Sequence, residues 1–241
     1  MRPLFTLTKR LSVIAELVEK NSVVCDIGTD HALLPIWLVK KGITDKVIAS
    51  DIIDGPLLNA EKNIKAYCCE DKITVVKSDG LKNVLKYEPT NIIIAGMGAE
   101  TICEILSFSD YAKEKSPLLI LQPMTRCEVL RKYLIQNGFS ILSEQVLFEQ
   151  GHHYVVLTAR YLQEQRHYFD TANTKSEVLY ELGGITNTYS DFLNYKKEKY
   201  LYSYNQIKQN SMDFDGKDNK LNSLLEFINE IDKRLLEDKN G

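Results

Sequence analysis

The sequence holds little of what marks several protein classes, and each shortage excludes one. Six prolines and twelve glycines among 241 residues rule out a collagenous or Pro/Gly-rich low-complexity chain. Five cysteines, Cys25, Cys68, Cys69, Cys103 and Cys127, are odd in number and form no C-x-x-C pair. That signals neither a disulfide framework nor a zinc site, and buried thiols in a reducing compartment are expected. His152 and His153 are adjacent, so on a strand they point to opposite faces and do not share a metal. No window of about 18 apolar residues is free of charge, and Arg2, Lys9, Arg10, Glu16 and Glu19 interrupt the amino terminus. A cytoplasmic protein without membrane or metal partners is expected. Excess positive charge is missing too: 30 Lys and Arg face 33 Asp and Glu, for a net −3. Any nucleic acid must therefore meet a local patch rather than a bulk field.

What is present is a globular composition, 44% hydrophobic and 26% charged. The length exceeds one domain of roughly 150 residues and falls short of two, which suggests one domain with an appendage. From residue 22 to about 161, short β-branched runs at 23–26, 46–52, 73–77, 91–95 and 118–122 alternate with helical stretches at 31–41, 56–69, 100–106 and 125–137. This alternation predicts a mostly parallel α/β sheet with helices on both faces. The runs VVCDIG, VIASD, IIIAG and LLILQ are nearly all apolar, as strands buried on both faces must be. After Gly138, two strand-like runs joined through Gly151 predict a terminal hairpin and one antiparallel edge strand. Leu7, Leu11, Ile14 and Leu17 predict a leading helix. Beyond residue 162 the β-rich runs stop. Leu221, Leu224, Leu225, Ile228, Ile231 and Leu235 form one helical stripe, and Phe192, Leu193, Tyr200, Tyr204 and Ile207 a rougher one. An αα-hairpin turning at 212–219 would let them face each other. The expected domains are thus 1–161 and 162–241.

The most informative segment is VVCDIGTDHALLP at 23–35, which places Asp26, Gly28, Asp30 and His31 at the carboxyl end of the first strand, where open α/β sheets bind ligands. A dinucleotide fingerprint needs three glycines, but Asp30 and Leu33 stand where the second and third should be. A carboxylate at Asp30 would repel a pyrophosphate about 4–5 Å away by about 1–4 kcal/mol. The same carboxylates suit a ligand bearing an ammonium or a sulfonium, which describes S-adenosylmethionine. Asp51 ends the second strand, where it can accept hydrogen bonds from a ribose. Asp79 and Gly80 end the third, suited to an adenine edge, and Gly96, Met97 and Gly98 close the fourth, where backbone can approach a ligand. Structural readings stand beside these: Asp30 as a helix N-cap, and Gly96 and Gly98 as turn glycines.

DIGTDHALLP, the Gly55-Pro56 pair, SDGL, IIIAGMG and LILQPM, followed by a helical tail, resemble the bacterial tRNA (adenine-22-N1)-methyltransferase family over essentially the whole chain. The chain departs from the family pattern at Leu33, where a Tyr is expected, and at Ala99, where a second Gly is. The resemblance implies a class I, Rossmann-like methyltransferase domain with a C-terminal helical hairpin. It further implies S-adenosylmethionine as donor and adenine N1 of a folded tRNA as acceptor. A monomer or weak homodimer is expected.

For such a transfer Asp30, Gln122 and His31 are the catalytic candidates: Asp30 to face the exocyclic amine, Gln122 to read the base edge, His31 as a neighbouring base. Gln122 has an equal alternative as a structural amide, and His31 as an ordinary helix-start histidine. For the RNA, YKKEKYLYSYNQIK at 195–208 interleaves Lys196, Lys197 and Lys199 with tyrosines, which neutralise phosphates and stack on bases. The same residues have a second reading as a solvated face and hairpin seam. Arg10 and Arg126 are further RNA candidates near the strand ends, with Lys9, Arg131 and Lys132. Other readings remain open: a methyltransferase for a small molecule or protein, or a non-enzymatic RNA-binding module.

Overall fold

The computed structural model describes residues 2–162, 164, 176–183, 190–209 and 216–240. The chain divides into two compact units, Met1–Tyr168 and Phe169–Gly241.

In the first unit, helix α1 (Lys9–Glu16) starts at Thr8, whose hydroxyl accepts the Leu11 amide at 3.3 Å, and buries Ile14 and Ala15. A seven-stranded sheet follows, in the order β3-β2-β1-β4-β5-β7-β6. Strands β1 (Val23–Ile27), β2 (Lys46–Asp51), β3 (Ile73–Lys77), β4 (Asn91–Gly98) and β5 (Leu118–Thr125) are parallel. The apolar runs behave as expected of doubly covered strands, with Ile92, Ile93, Ile94, Leu119, Ile120 and Leu121 fully buried. Strand order reverses beside β1, between β2 on one side and β4 on the other, so a crevice opens at their carboxyl ends. The carboxy-terminal hairpin pairs β6 (Phe139–Glu149) with β7 (His152–Tyr161). Strand β7 runs antiparallel between β5 and β6, which leaves β6 as the outermost strand.

Helices α2 (Leu33–Lys40), α3 (Asp54–Ala66), α4 (Ala99–Ser107), α5 (Tyr111–Glu114) and α6 (Cys127–Gln136) connect the strands. Helix α2 begins two residues later than the pattern suggests, because His31 and Ala32 both take left-handed backbone, at φ 57° and 54°. No side chain caps it, so Asp30 is not the N-cap. Strands β4 and β5 run three residues past Ala95 and Gln122, through irregular pairing around Met97. Of the thiols expected to be buried, Cys25 and Cys69 are, but Cys68 is exposed.

In the second unit, α8 (Ser190–Gln209) and α9 (Lys217–Asn240) form the two long helices. A helix the sequence did not announce, α7 (Ser176–Leu182), joins them: Val178 and Leu182 pack with Leu193 and Ile231, flanked by Tyr200, Phe227 and Leu235. The turn expected at 212–219 lies, up to Asp215, outside the described residues. No described helix is long and apolar enough to cross a membrane.

Candidate active site

Two cavities open at the carboxyl ends of the strands and share Gly28. The first, about 320 Å³, is lined by Asp51, Ile52, Asp79, Gly80, Met97 and Phe108 among others. The second, about 300 Å³, is lined by Arg10, Asp26, Asp30, Leu33, Gly96 and Met124 among others. Most of the strand-end residues singled out from the sequence are thus divided between two adjoining spaces, while His31 and Gly98 line neither. Gly28 has φ +75°, and a Cβ there would meet Met97 Cε at 2.2 Å. Glycine leaves the junction of the cavities open.

Asp26 is 8% exposed at the end of β1. Burial pushes its carboxyl up to about 6, and the neighbouring Asp51 charge adds to the rise. Nearby, the Gly28 and Thr29 amides both donate to the Ser50 carbonyl at 2.8 Å, and the buried Thr29 hydroxyl beside Asp26 partly offsets the rise of its carboxyl. Asp51 is held by the Ile53 amide at 2.8 Å. Asp79 pairs with Lys82 at 2.5 Å, and that ammonium lies 4.3 Å from the centre of the Phe108 ring. Asp30 is largely exposed, 3.1 Å from Nε2 of a half-exposed His31. The Asn63 side chain holds the His31 carbonyl at 3.0 Å. The strained pair His31 and Ala32 is thereby fixed where it presents Asp30 to the second cavity.

Gln122 departs from the base-reading role. It is fully buried, its Oε1 accepts from Arg10 Nη1 at 2.7 Å and from the Gly96 amide at 3.1 Å, and its Nε2 donates to the Pro123 carbonyl at 2.8 Å. With both ends of the amide committed, its structural reading is the one realised.

The basic candidates also sort themselves. Arg10 lines the second cavity. Arg126 is exposed but paired with Glu100 and, at 3.7 Å, with Glu128. Arg131 is not a surface residue at all: it is buried against Glu144, with Nε to Oε1 at 2.8 Å. Lys9 Nζ reaches the Phe148 carbonyl at 3.3 Å, and Lys132 is exposed. In the second unit Lys196 pairs with Glu181 at 2.8 Å and Lys197 with Asp232, so both ammonium groups are engaged by carboxylates within the helical unit. Lys199 stays exposed over the Tyr195 ring, 5.7 Å from its centre. Sequence reasoning missed Met124, Ile52 and Phe108 as lining residues. Met124 follows the Q-P at a strand end, a usable signal; nothing in the local pattern marks Phe108.

The donor set fits an adenosine joined to an amino acid. Asp51 and Asp79 offer acceptors to hydroxyls and an amine, Asp26 and Asp30 offer charge to an ammonium or sulfonium, and Gly28 leaves room between the two cavities. Among the described residues no cluster of His, Cys, Asp and Glu is arranged to hold a metal.

A mostly parallel sheet carrying acidic residues at successive strand ends defines a class I methyltransferase. Consistent with that, the family model for a methyltransferase domain matches residues 7–157, and the chain belongs to that family. More particularly, it is 36% identical over 153 residues to the tRNA (adenine(22)-N(1))-methyltransferase of Bacillus subtilis; the match spans 64% of each chain, just under two thirds of that relative. The crystal structure of the B. subtilis tRNA methyltransferase TrmK superposes with a TM-score of 0.82 at 29% identity, over 96% of this chain and 99% of that one. The Streptococcus pneumoniae protein Sp1610 in complex with S-adenosyl-L-methionine superposes at 0.76 with 27% identity, over 92% and 100%. The resemblance read from the motifs therefore holds in sequence over 153 residues and in structure over 96% of the chain.

Proposed function

We propose that this chain transfers the methyl group of S-adenosylmethionine to N1 of an adenine in tRNA, at position 22 as the name of the B. subtilis relative states, and does so in the cytoplasm. The observation that carries the reading is the pair of cavities joined at Gly28, acidic in both halves. S-adenosylmethionine, when bound, supplies a methyl group made electrophilic by its sulfonium. Asp26 balances the cationic end, Asp51 accepts from the ribose hydroxyls, and Asp79 with Gly80 faces the adenine. Gly96 on the second cavity and Met97 on the first shape the boundary between them, with Gly98 next in the chain.

Adenine N1 has an in-plane lone pair, so the target base needs to be unpaired and aligned more than it needs a strong base. Holding both reactants in line is worth about 7–11 kcal/mol of barrier. Attack leaves positive charge on the ring, and the exposed Asp30 carboxylate, paired with His31, stabilises it and can take a proton from the exocyclic amine. Catalysis belongs to residues 1–161, and the helical segment 162–241 serves the RNA. On α8 the exposed stripe Tyr195, Lys199 and Tyr202, spaced for one helix face, is the surface for phosphate and base contact. Arg126 adds an exposed cation on the first unit.

The reading is tested by mass mapping of nucleosides in tRNA treated with protein and donor. N1-methyladenosine at one position is expected; methylation of free adenosine or protein alone, or none at all, would sink it.

A further inference from the structure

Gln122 does not line either cavity, yet it holds two elements that do. Its Oε1 takes the Arg10 guanidinium at 2.7 Å and the Gly96 amide at 3.1 Å, and its Nε2, bound to the Pro123 carbonyl at 2.8 Å, leaves the amide one orientation. Arg10 is confined on its other sides as well. Met124 Sδ lies 3.5 Å from Nη1, the Tyr154 ring centre lies 5.5 Å from the guanidinium carbon, and a Cβ at Gly96 would come within 3.4 Å of Nη1. A side chain that loses much rotamer freedom on binding is here ordered in advance.

The cavity Arg10 enters says what the ordered guanidinium is for. Among the described residues Arg10 is the one cation lining it, opposite Asp26 and Asp30. A phosphate would meet two carboxylates there. A zwitterionic α-amino acid meets both signs: its ammonium toward the carboxylates, its carboxylate toward the guanidinium, which still has N–H groups uncommitted.

We infer that Gln122 is a positioning residue that sets Arg10 as a clamp for the carboxylate of the donor's amino-acid end. Arg10 then belongs to the donor rather than to the RNA, a revision of its expected role. The inference rests on the proposed methyl-donor reading.

Calorimetric titration with two ligands tests it: S-adenosylhomocysteine, and 5′-methylthioadenosine, which keeps the nucleoside and thioether but lacks the amino acid. Arg10→Ala and Gln122→Leu are each expected to weaken S-adenosylhomocysteine by about ten- to a hundredfold while leaving methylthioadenosine within about twofold. The double variant should be no weaker than Arg10→Ala alone, because Gln122 acts through Arg10. Parallel loss of both ligands, additive effects in the double variant, or intact S-adenosylhomocysteine binding with weakened tRNA binding would each overturn the inference. Wild-type protein that binds neither ligand would instead overturn the methyl-donor reading itself.

Discussion

Two strand-end carboxylates of the first unit, Asp26 and Asp51, and the helices of the second treat charge in opposite ways, although Asp79 at the next strand end pairs with Lys82 at 2.5 Å. At the sheet, Asp26 is buried with no cation beside it among the described residues, and Asp51 has only a backbone amide for company. In the helical unit, charges close on one another: Lys196 with Glu181, Lys197 with Asp232, Arg234 with Glu230 at 2.9 Å and with the Gly183 carbonyl at 2.7 Å. Unpaired buried charge costs stability and persists where a ligand supplies the counter-charge, whereas paired charge holds helices together. The difference separates residues kept for binding from residues kept for folding, even where both are the same amino acid.

The largest effect expected comes from a fully buried pair in the first unit, Arg131 with Glu144. Glu144→Ala removes the carboxylate that faces a buried guanidinium between α6 and β6 and should cost about 3–5 kcal/mol in denaturant unfolding. A loss below about 1 kcal/mol would mean that burial and pairing do not sort these charges as argued.

Asp26→Asn should act in the reverse sense on stability. Removing a buried carboxylate whose carboxyl sits at about 6 should stabilise the ligand-free protein by about 2–3 kcal/mol at pH 7, while abolishing most donor binding. Thermal unfolding and S-adenosylhomocysteine titration of the same variant read both. Stability and affinity falling together would place Asp26 with the folding charges.

The pH dependence follows from the same shift. Because the folded carboxyl binds its proton more tightly than the unfolded one, its contribution to stability is present in full below about pH 4 and is lost as pH rises through about 6. Donor binding needs the ionised form, so affinity should fall as pH drops through about 6. The stability trend should vanish in Asp26→Asn, and an unchanged slope in the variant would assign it elsewhere.

What was legible in the sequence were features that local chemistry decides alone. Strands buried on both faces must be continuous apolar runs, and Asp26, Asp51 and Gly96 stand out because each interrupts such a run, while Asp79 stands out only as the punctuation after the more polar third strand. What could not be read depended on partners distant in the chain. Arg131 looks like a surface cation until β6 brings Glu144 to it. Gln122 looks like a base-reading amide until α1 delivers Arg10. His31 and Ala32 carry no sequence sign of left-handed backbone, so the start of α2 was misplaced.

Helical phase sets the finest distinction, between lysines two positions apart. Lys197 points toward Asp232 on α9, and Lys199 lies on the outer face over Tyr195. Composition treats them alike, but their relation to the seam, marked by Phe192, Leu193 and Tyr200, does not. Lys197→Ala should lower stability by about 0.2–1 kcal/mol and leave tRNA affinity unchanged, because a partly exposed ion pair contributes little and faces inward. Lys199→Ala should leave stability unchanged, weaken tRNA binding at low salt, and reduce the slope of log affinity against log salt by about one. Filter binding across a salt series, with unfolding curves for both variants, makes the comparison. A lower slope for Lys197→Ala would mean that its ion pair opens to RNA, and the division between folding charge and binding charge would then fail inside the second unit while surviving in the first.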